Sequence, residues 1–295
     1  MFPNAFDYAA PTSLEEAVDL LGRYGDEAKL MAGGQSLLPM MKLRLAAPAW
    51  LVDINRVPEL AGRTETDDAL FLGALTRHAA IEWDRDLDAD YPLLGETAAL
   101  IADPLVRNRG TVAGSLAHAD PAADWAACLL ALGASVTARG PRGNRLITVE
   151  DLLVDALTTT LAPDEIITGV TVPRPTGRVA AKSLKLERKV GDFAIVGVSL
   201  QVEVGIDGDV TRVGIGLAAV GSTALRAREA ETVLLGRRLG RETIREAAAL
   251  AASAADPVSD RRGSAAYKRD IVRVFVERGL TAVQARLAEG QALGA

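Results

Sequence analysis

The sequence predicts an α+β protein of two domains divided after Pro175, and three features point to it. Strand-like and helix-like patterns alternate up to Pro173-Arg-Pro175-Thr-Gly177. Beyond that segment strands come first and Ala-, Arg- and Glu-rich helices follow, the order expected of an antiparallel sheet with helices on one face. The 295 residues are also enough for about two cores of ordinary size.

Ser13-Leu-Glu-Glu16 has the form of a capping box, and Ala17, Val18, Leu20 and Leu21 follow at helical spacing, with Gly22 and Gly25 as stop signals. Short apolar runs at Lys29 to Ala32 and Leu51 to Ile54 predict strands, as does Ala69 to Leu75. Thr76 is a candidate cap for a helix near Ala79 to Trp83, and a further helix is expected from Leu93 to Leu100, ending before Asp103-Pro104. After a Gly-containing turn at Arg109 to Ser115 comes a helix from Asp124 to Leu132, closed by Gly133. Ser135 to Ala138 and Leu146 to Val149 form a hairpin across Gly140-Pro-Arg-Gly143. In the second domain, strands are expected at Ser183 to Leu186, Ala194 to Val204 and Val210 to Val220, with a turn at Asp207-Gly208.

Composition excludes several classes. The net charge of −6 is spread without a basic stripe, so nucleic acid is not an expected partner. No run of about 18 apolar residues is present, so no membrane-spanning segment is expected. The first residues show no basic region followed by an apolar run, which makes the expected location cytoplasmic. One Cys and two His cannot make an iron–sulfur or structural zinc site, each of which needs about four ligands. Cys128, inside Trp125-Ala-Ala-Cys-Leu-Leu-Ala-Leu132, reads as a buried small hydrophobe. Neither His78 nor His118, the latter placed in a loop, has a nucleophile and acid at triad spacing.

Two segments remain as candidates for chemistry. Lys29-Leu-Met-Ala-Gly-Gly-Gln-Ser36 sets a Gly pair and two polar side chains at a strand end, where consecutive N–H groups can converge on an anion. Thr111-Val-Ala-Gly-Ser115 offers a second such turn. Either one alone reads as a plain tight turn; together they could hold a pyrophosphate from two sides. The P-loop pattern is missing. Gly214-Ile-Gly-Leu-Ala-Ala219 imitates a dinucleotide fingerprint but lies within a strand rather than at a strand-to-helix turn.

Three stretches, Ala32-Gly-Gly-Gln-Ser-Leu-Leu-Pro-Met-Met-Lys-Leu-Arg-Leu45, Ile101-Ala-Asp-Pro-Leu-Val-Arg-Asn-Arg-Gly-Thr-Val-Ala-Gly-Ser115 and Lys185-Leu-Glu-Arg-Lys-Val-Gly-Asp-Phe-Ala194, resemble the signatures of the flavoprotein medium subunits of carbon monoxide dehydrogenase and its molybdenum hydroxylase relatives. The resemblance covers essentially the whole chain. It implies a two-part FAD-binding domain of the vanillyl-alcohol-oxidase/PCMH type over residues 1–175, with subdomains of about 1–58 and 59–175, followed by an α+β C-terminal domain over 176–295.

Residue by residue, the resemblance implies that Ala32, Gly33, Gly34, Gln35, Ser36 and Leu37, with Thr111, Ala113, Gly114 and Ser115, hold the FAD pyrophosphate through N–H groups and hydroxyls. It makes Asp124 an acceptor for cofactor hydroxyls and sets Ile101, Ala102 and Ile167 along the pocket wall. Without it, Asp124 is a helix-start acid favoured by the macrodipole, and the other three are core. Lys185 is implied as a cation near the flavin, and Phe193 as an aromatic beside it that lacks the hydroxyl of the usual Tyr. The sequence departs from the family pattern at Gln35 for His, Ala113 for Gly and Ser115 for Asn. Ala113 costs about 1–2 kcal/mol if its backbone is left-handed and little otherwise.

The implied role is electron transfer within a complex with an iron–sulfur small subunit and a molybdopterin large subunit that oxidises the substrate, assembled as a dimer of heterotrimers. Electrons from the iron–sulfur partner pass through FAD on this chain to an external acceptor, so no catalytic side chain and no metal ligand are expected here. The three departures leave room for relatives that oxidise aldehydes or N-heterocycles. Two rivals are a stand-alone FAD oxidase, for which the stretch after Pro175 is short, and a non-enzymatic assembly subunit whose loops have lost flavin.

Overall fold

The computed structural model describes residues 2–292. Its first unit comprises β1 (Asp7–Ala9), α1 (Leu14–Tyr24), β2 (Ala28–Met31), α2 (Leu37–Lys42) and β3 (Trp50–Asp53), with the strands in a parallel sheet of order β1-β3-β2. The Ser13 hydroxyl accepts from the Glu16 N–H, but the Glu16 carboxylate turns back to Thr12 N–H rather than Ser13, so only half of the expected capping box forms. Gly22 lies inside α1, and Gly25 with φ 51° ends it. Gly22 fails as a stop signal because nothing forces it out of helical geometry.

The chain continues through β4 (Arg63–Glu65), β5 (Ala69–Gly73), α3 (His78–Glu82), α4 (Pro92–Ala99), α5 (Pro104–Arg107), α6 (Val112–His118) and α7 (Asp124–Leu132). It then forms the hairpin β6 (Ser135–Gly140) and β7 (Gly143–Thr148), the short α8 (Val149–Leu152), β8 (Leu153–Asp155), β9 (Thr158–Thr159) and β10 (Ile166–Pro173). Strands β4-β5-β10-β6-β7 make one antiparallel sheet with β10 at its centre, a strand the sequence pattern did not expose. A bulge between Ile167 and Gly169 interrupts the β10–β6 ladder. Such bulges redirect side chains at sheet rims.

Three expectations need correction here. Thr76 does not cap α3; Arg77 stands at that position and no side chain caps the helix. The stretch Thr111 to Ser115 is not a free turn but the start of α6, with Thr111 Oγ1 accepting from Gly114 N–H at 3.0 Å. His118 is the last residue of that helix rather than a loop residue. A Thr followed by small residues suits a helix N-cap as well as a turn, and the helix wins because Val112 and Leu116 face the core.

After Pro173 come β11 (Arg178–Leu186), β12 (Val196–Val204), β13 (Val210–Ala218) and β14 (Leu225–Arg226), an antiparallel sheet in chain order. Helices α9 (Arg228–Thr232), α10 (Arg241–Ala254) and α11 (Ala265–Ala292) follow, α11 packing on β11 and β12. Glu203 on β12 accepts from Thr176 N–H, the Thr176 hydroxyl and Gly177 N–H, which anchors the connecting segment. The other face of this sheet is covered by α4 and α7, so β12 is buried on both faces although its sequence alternates, and the positions between its apolar residues are filled by Gly197, Ser199, Gln201 and Glu203.

Helix α7 joins the two halves. Every residue from Trp125 to Leu132 is buried, as expected of a helix apolar all round. Gly214 and Gly216 on β13 meet it: a Cβ on Gly214 would stand 2.5 Å from Ala131 C, and one on Gly216 2.7 Å from Ala127 C. Close packing of sheet on helix therefore accounts for the glycines of the false fingerprint.

Candidate cofactor site

A cavity of about 850 Å³ opens between the end of β2, the start of α6, the start of α7, the rim of β10 and the segment after β11. Its size is within the range for small-molecule sites. All sixteen residues singled out from the sequence line it: Ala32, Gly33, Gly34, Gln35, Ser36, Leu37, Ile101, Ala102, Thr111, Ala113, Gly114, Ser115, Asp124, Ile167, Lys185 and Phe193.

The segment after β2 is built to leave donors free. Gly34 takes φ 73°, the left-handed region, and Leu38 N–H is the first downstream amide to find an acceptor, Gly34 O at 3.0 Å. Among the described residues the five consecutive N–H groups from Gly33 to Leu37 have no acceptor. Leu37 begins α2, where a first-turn N–H is free in any helix, but four more in a row ahead of it along the cavity leave a set of donors open to an acceptor from outside. Opposite them, Thr111 and Ala113 N–H are likewise unpaired. Ala113 does not have positive φ, so the extra methyl relative to Gly carries no backbone strain there.

The two segments touch. A Cβ on Gly33 would overlap Arg109 O and stand 2.7 Å from Gly110 Cα, so only glycine lets these backbones approach. Behind the contact, Asn55 Nδ2 donates to Ala32 O at 2.8 Å, Arg77 Nη2 to Asn55 Oδ1 at 2.5 Å, and Arg77 Nη1 to Arg109 O at 2.5 Å. Asp53 accepts from Asn55 N–H in an Asx turn and from the Tyr8 hydroxyl at 2.7 Å.

At the floor, Lys185 Nζ lies 3.0 Å from Asp124 Oδ2, 3.1 Å from Leu100 O and 3.6 Å from Glu187 Oε2. Burial pushes the Asp124 carboxyl up to about 6, with Lys185 pulling it back down. Lys185 thus meets the cavity as one half of an ion pair, not as a free cation. Trp125 Nε1 donates to His78 Nδ1 at 2.9 Å, which leaves the His78 proton on Nε2. Burial, aided by Arg77 and Arg107, lowers His78 to about 4, so it is a neutral donor.

The walls are apolar. Ile167 is buried beside the β10 bulge, and Ile101 is half-buried. Ala102 adopts φ 45°, a conformation costing about 1–2 kcal/mol for a residue with a Cβ. Arg107 holds it there by donating to Ile101 O and Ala102 O while paired with Glu82. Gly191 packs on Ala102, and Phe193 stands half-exposed at the rim. Sequence reasoning missed Asn55, Arg77, His78 and Arg107. Asp53-Ile-Asn55 carries the local signal of an Asx turn, but Arg77 acts on a carbonyl 32 residues away and Arg107 on backbone carbonyls five and six residues back, contacts that no side-chain pattern marks.

Fold and cavity together define a protein with a cofactor-sized cavity between two facing backbone segments that present free N–H donors. Residues 4–175 match the family described as FAD binding domain in molybdopterin dehydrogenase, and residues 183–283 the CO dehydrogenase flavoprotein C-terminal domain. The chain is 44% identical to the 6-hydroxypseudooxynicotine dehydrogenase complex subunit alpha of Paenarthrobacter nicotinovorans, over 95% of each protein. It is 40% identical to the carbon monoxide dehydrogenase medium chain of Hydrogenophaga pseudoflava, over 98% of this chain and 100% of that one. The solved carbon monoxide dehydrogenase of Hydrogenophaga pseudoflava that lacks the Mo-pyranopterin moiety superposes with a TM-score of 0.93 at 42% identity, covering 97% of this chain and 99% of that one. The chain belongs to the family of FAD-binding medium subunits of molybdenum hydroxylases, of the carbon monoxide dehydrogenase medium-subunit type.

Proposed function

We propose that this chain holds FAD in the cavity described and is the electron-transfer flavoprotein of a molybdenum hydroxylase complex. The row of five unpaired N–H groups from Gly33 to Leu37 is the observation that carries the reading, because it fits the oxygens of a pyrophosphate and nothing among the described residues answers it. Thr111 and Ala113 supply donors from the other side, and the hydroxyls of Ser36, Thr111 and Ser115 and the amide of Gln35 stand at the same lining. Ile101, Ala102 and Ile167 offer an apolar wall, Phe193 an aromatic flank, and the Asp124–Lys185 pair a polar floor. When bound, FAD supplies the redox chemistry, taking electrons from one partner and passing them to an acceptor.

The complex we infer is of the carbon monoxide dehydrogenase type, with an iron–sulfur small subunit and a molybdopterin large subunit. The same role in a complex acting on another substrate is favoured by the 44% identity to the 6-hydroxypseudooxynicotine dehydrogenase subunit. A dimer of heterotrimers and an external electron acceptor come from the family resemblance, and a cytoplasmic location is carried forward as an expectation. Division into residues 1–175, with parts of about 1–58 and 59–175, and 176–295 is supported by two separate apolar clusters, one drawn from residues before Pro173 apart from Ala181 and Ala224, the other wholly from Ala180 onward. Titration of the purified, flavin-stripped chain with FAD should give saturable one-to-one quenching of flavin fluorescence; no binding sinks the cofactor reading. Affinity purification from the native host should recover both partner polypeptides, and recovery of a lone, fully active chain contradicts the complex.

A further inference from the structure

Arg77 occupies an unusual position. Its guanidinium is half-buried behind the two cradle segments, and among the described residues no carboxylate lies within 4.0 Å of it, Asp53 attracting it and Arg109 repelling it only at longer range. Partly buried arginines are ordinarily paired. Here one nitrogen grips Arg109 O and another grips Asn55 Oδ1, whose amide nitrogen grips Ala32 O. The Arg77 backbone contributes too: its flanking residues exchange bonds with the second segment, His78 N–H to Gly110 O at 3.0 Å and Val112 N–H to Thr76 O at 3.2 Å.

Peptide planarity turns two of these carbonyl contacts, at Ala32 O and Gly110 O, into orientation of donors, while the grip on Arg109 O holds the second segment in place, the Gly110 N–H that follows it being paired with Val106 O at 2.7 Å. In a trans peptide the C=O and the next N–H point in opposite directions. Holding Ala32 O on Asn55 turns the Gly33 N–H, first of the five orphans, to the other side. Holding Gly110 O on His78 N–H does the same for Thr111 N–H, also an orphan. The side that loses its carbonyls is left with donors.

Resting on the FAD reading above, we propose that Arg77 and Asn55 form a positioning strap that makes the two segments a single anion cradle, with the unpaired charge of Arg77 favouring a diphosphate in it. Neither side chain needs to touch the ligand. Arg77 acts through Arg109 O and through Asn55, and its charge acts across the thin layer of backbone between them.

Fluorescence titration of the flavin-stripped full-length chain with FAD at several NaCl concentrations tests this, together with the melting temperature of each flavin-free variant. Arg77→Met is expected to weaken FAD binding at least about tenfold, to flatten the salt dependence of the affinity, and to leave the flavin-free melting temperature within a few degrees. Arg77→Lys keeps the charge but cannot reach both acceptors, so it should retain the wild-type salt slope with an intermediate loss. Asn55→Leu should weaken binding and also keep the slope. If Arg77→Met does not fold, the two milder variants carry the test. FAD affinity unchanged in the variants overturns the strap, and an unchanged salt slope in a folded Arg77→Met, or a flattened one in Arg77→Lys, overturns the role of charge. Failure of the wild-type chain to bind FAD would instead strike the functional reading.

Discussion

Gly33 and Gly34 in the cavity, and Gly214 and Gly216 in β13, look alike on paper, and at Gly33, Gly214 and Gly216 a Cβ would strike backbone, while Gly34 takes a left-handed φ of 73°. They differ in what becomes of the neighbouring amides. In β13 the glycines sit in a continuous ladder with β12, and their absent side chains let Ala127 and Ala131 of α7 settle on the sheet. At Gly33 the close approach joins two segments whose amides stay unpaired. A glycine pair signals a ligand when it comes with orphaned donors, and signals packing when the ladder is complete. Helix α7 links the two regimes: its first residue, Asp124, lines the cavity while its later turns lie on the glycines of β13.

The contrast can be broken at four points. Gly216→Val drives a branched side chain into the Ala127 backbone and should cost about 3 kcal/mol or more, read by urea unfolding, with FAD affinity changed little in molecules that stay folded. A selective loss of FAD binding would mean that β13 serves the site after all.

Asp124 gives the cavity end of α7 a titratable character that the packing end lacks. Its carboxyl keeps its proton up to about pH 6 in the folded chain but releases it near pH 4 when unfolded, so the folded state binds more protons in between. Stability of the flavin-free chain should therefore fall as pH rises from about 4 to 6, by about 2–3 kcal/mol at most, and level off above. Asp124→Asn should abolish this slope; a slope that persists would assign it to other groups.

Gly33→Ala should reverse the pattern of Gly216→Val, weakening FAD about tenfold or more while costing less than about 2 kcal/mol in stability, because the segments can part slightly at the surface. Equal losses in both measurements would erase the distinction between the two glycine pairs. The smallest effect is expected for Thr111→Ala, which removes the cap on Gly114 N–H and should cost about 1 kcal/mol with a several-fold weaker FAD affinity.

Much of this molecule is legible along the chain wherever the controlling interaction is local. The helix from Asp124 to Leu132 with Gly133 in the left-handed region, the Ser135–Thr148 hairpin and the Gly208 turn follow from periodicity and from glycine's conformational freedom. Strand β10 escaped notice because a central strand with Gly169 and a bulge shows no clean alternation. The Thr111 segment was open to two readings, since its side chain can end a turn or begin a helix.

By itself, the sequence determined which segments bring flexible backbone and polar side chains to strand ends, and that the chain has too few thiols and imidazoles for a metal cluster of the usual kind. The tertiary structure alone decided that those segments face each other, that Asn55, Arg77 and Arg107 hold their carbonyls, and that Lys185 is neutralised by Asp124. The reason is geometric. Carbonyl acceptors belong to every residue and carry no side-chain signature, so which of them a distant Asn or Arg will grip is settled only when the chain has brought the two together.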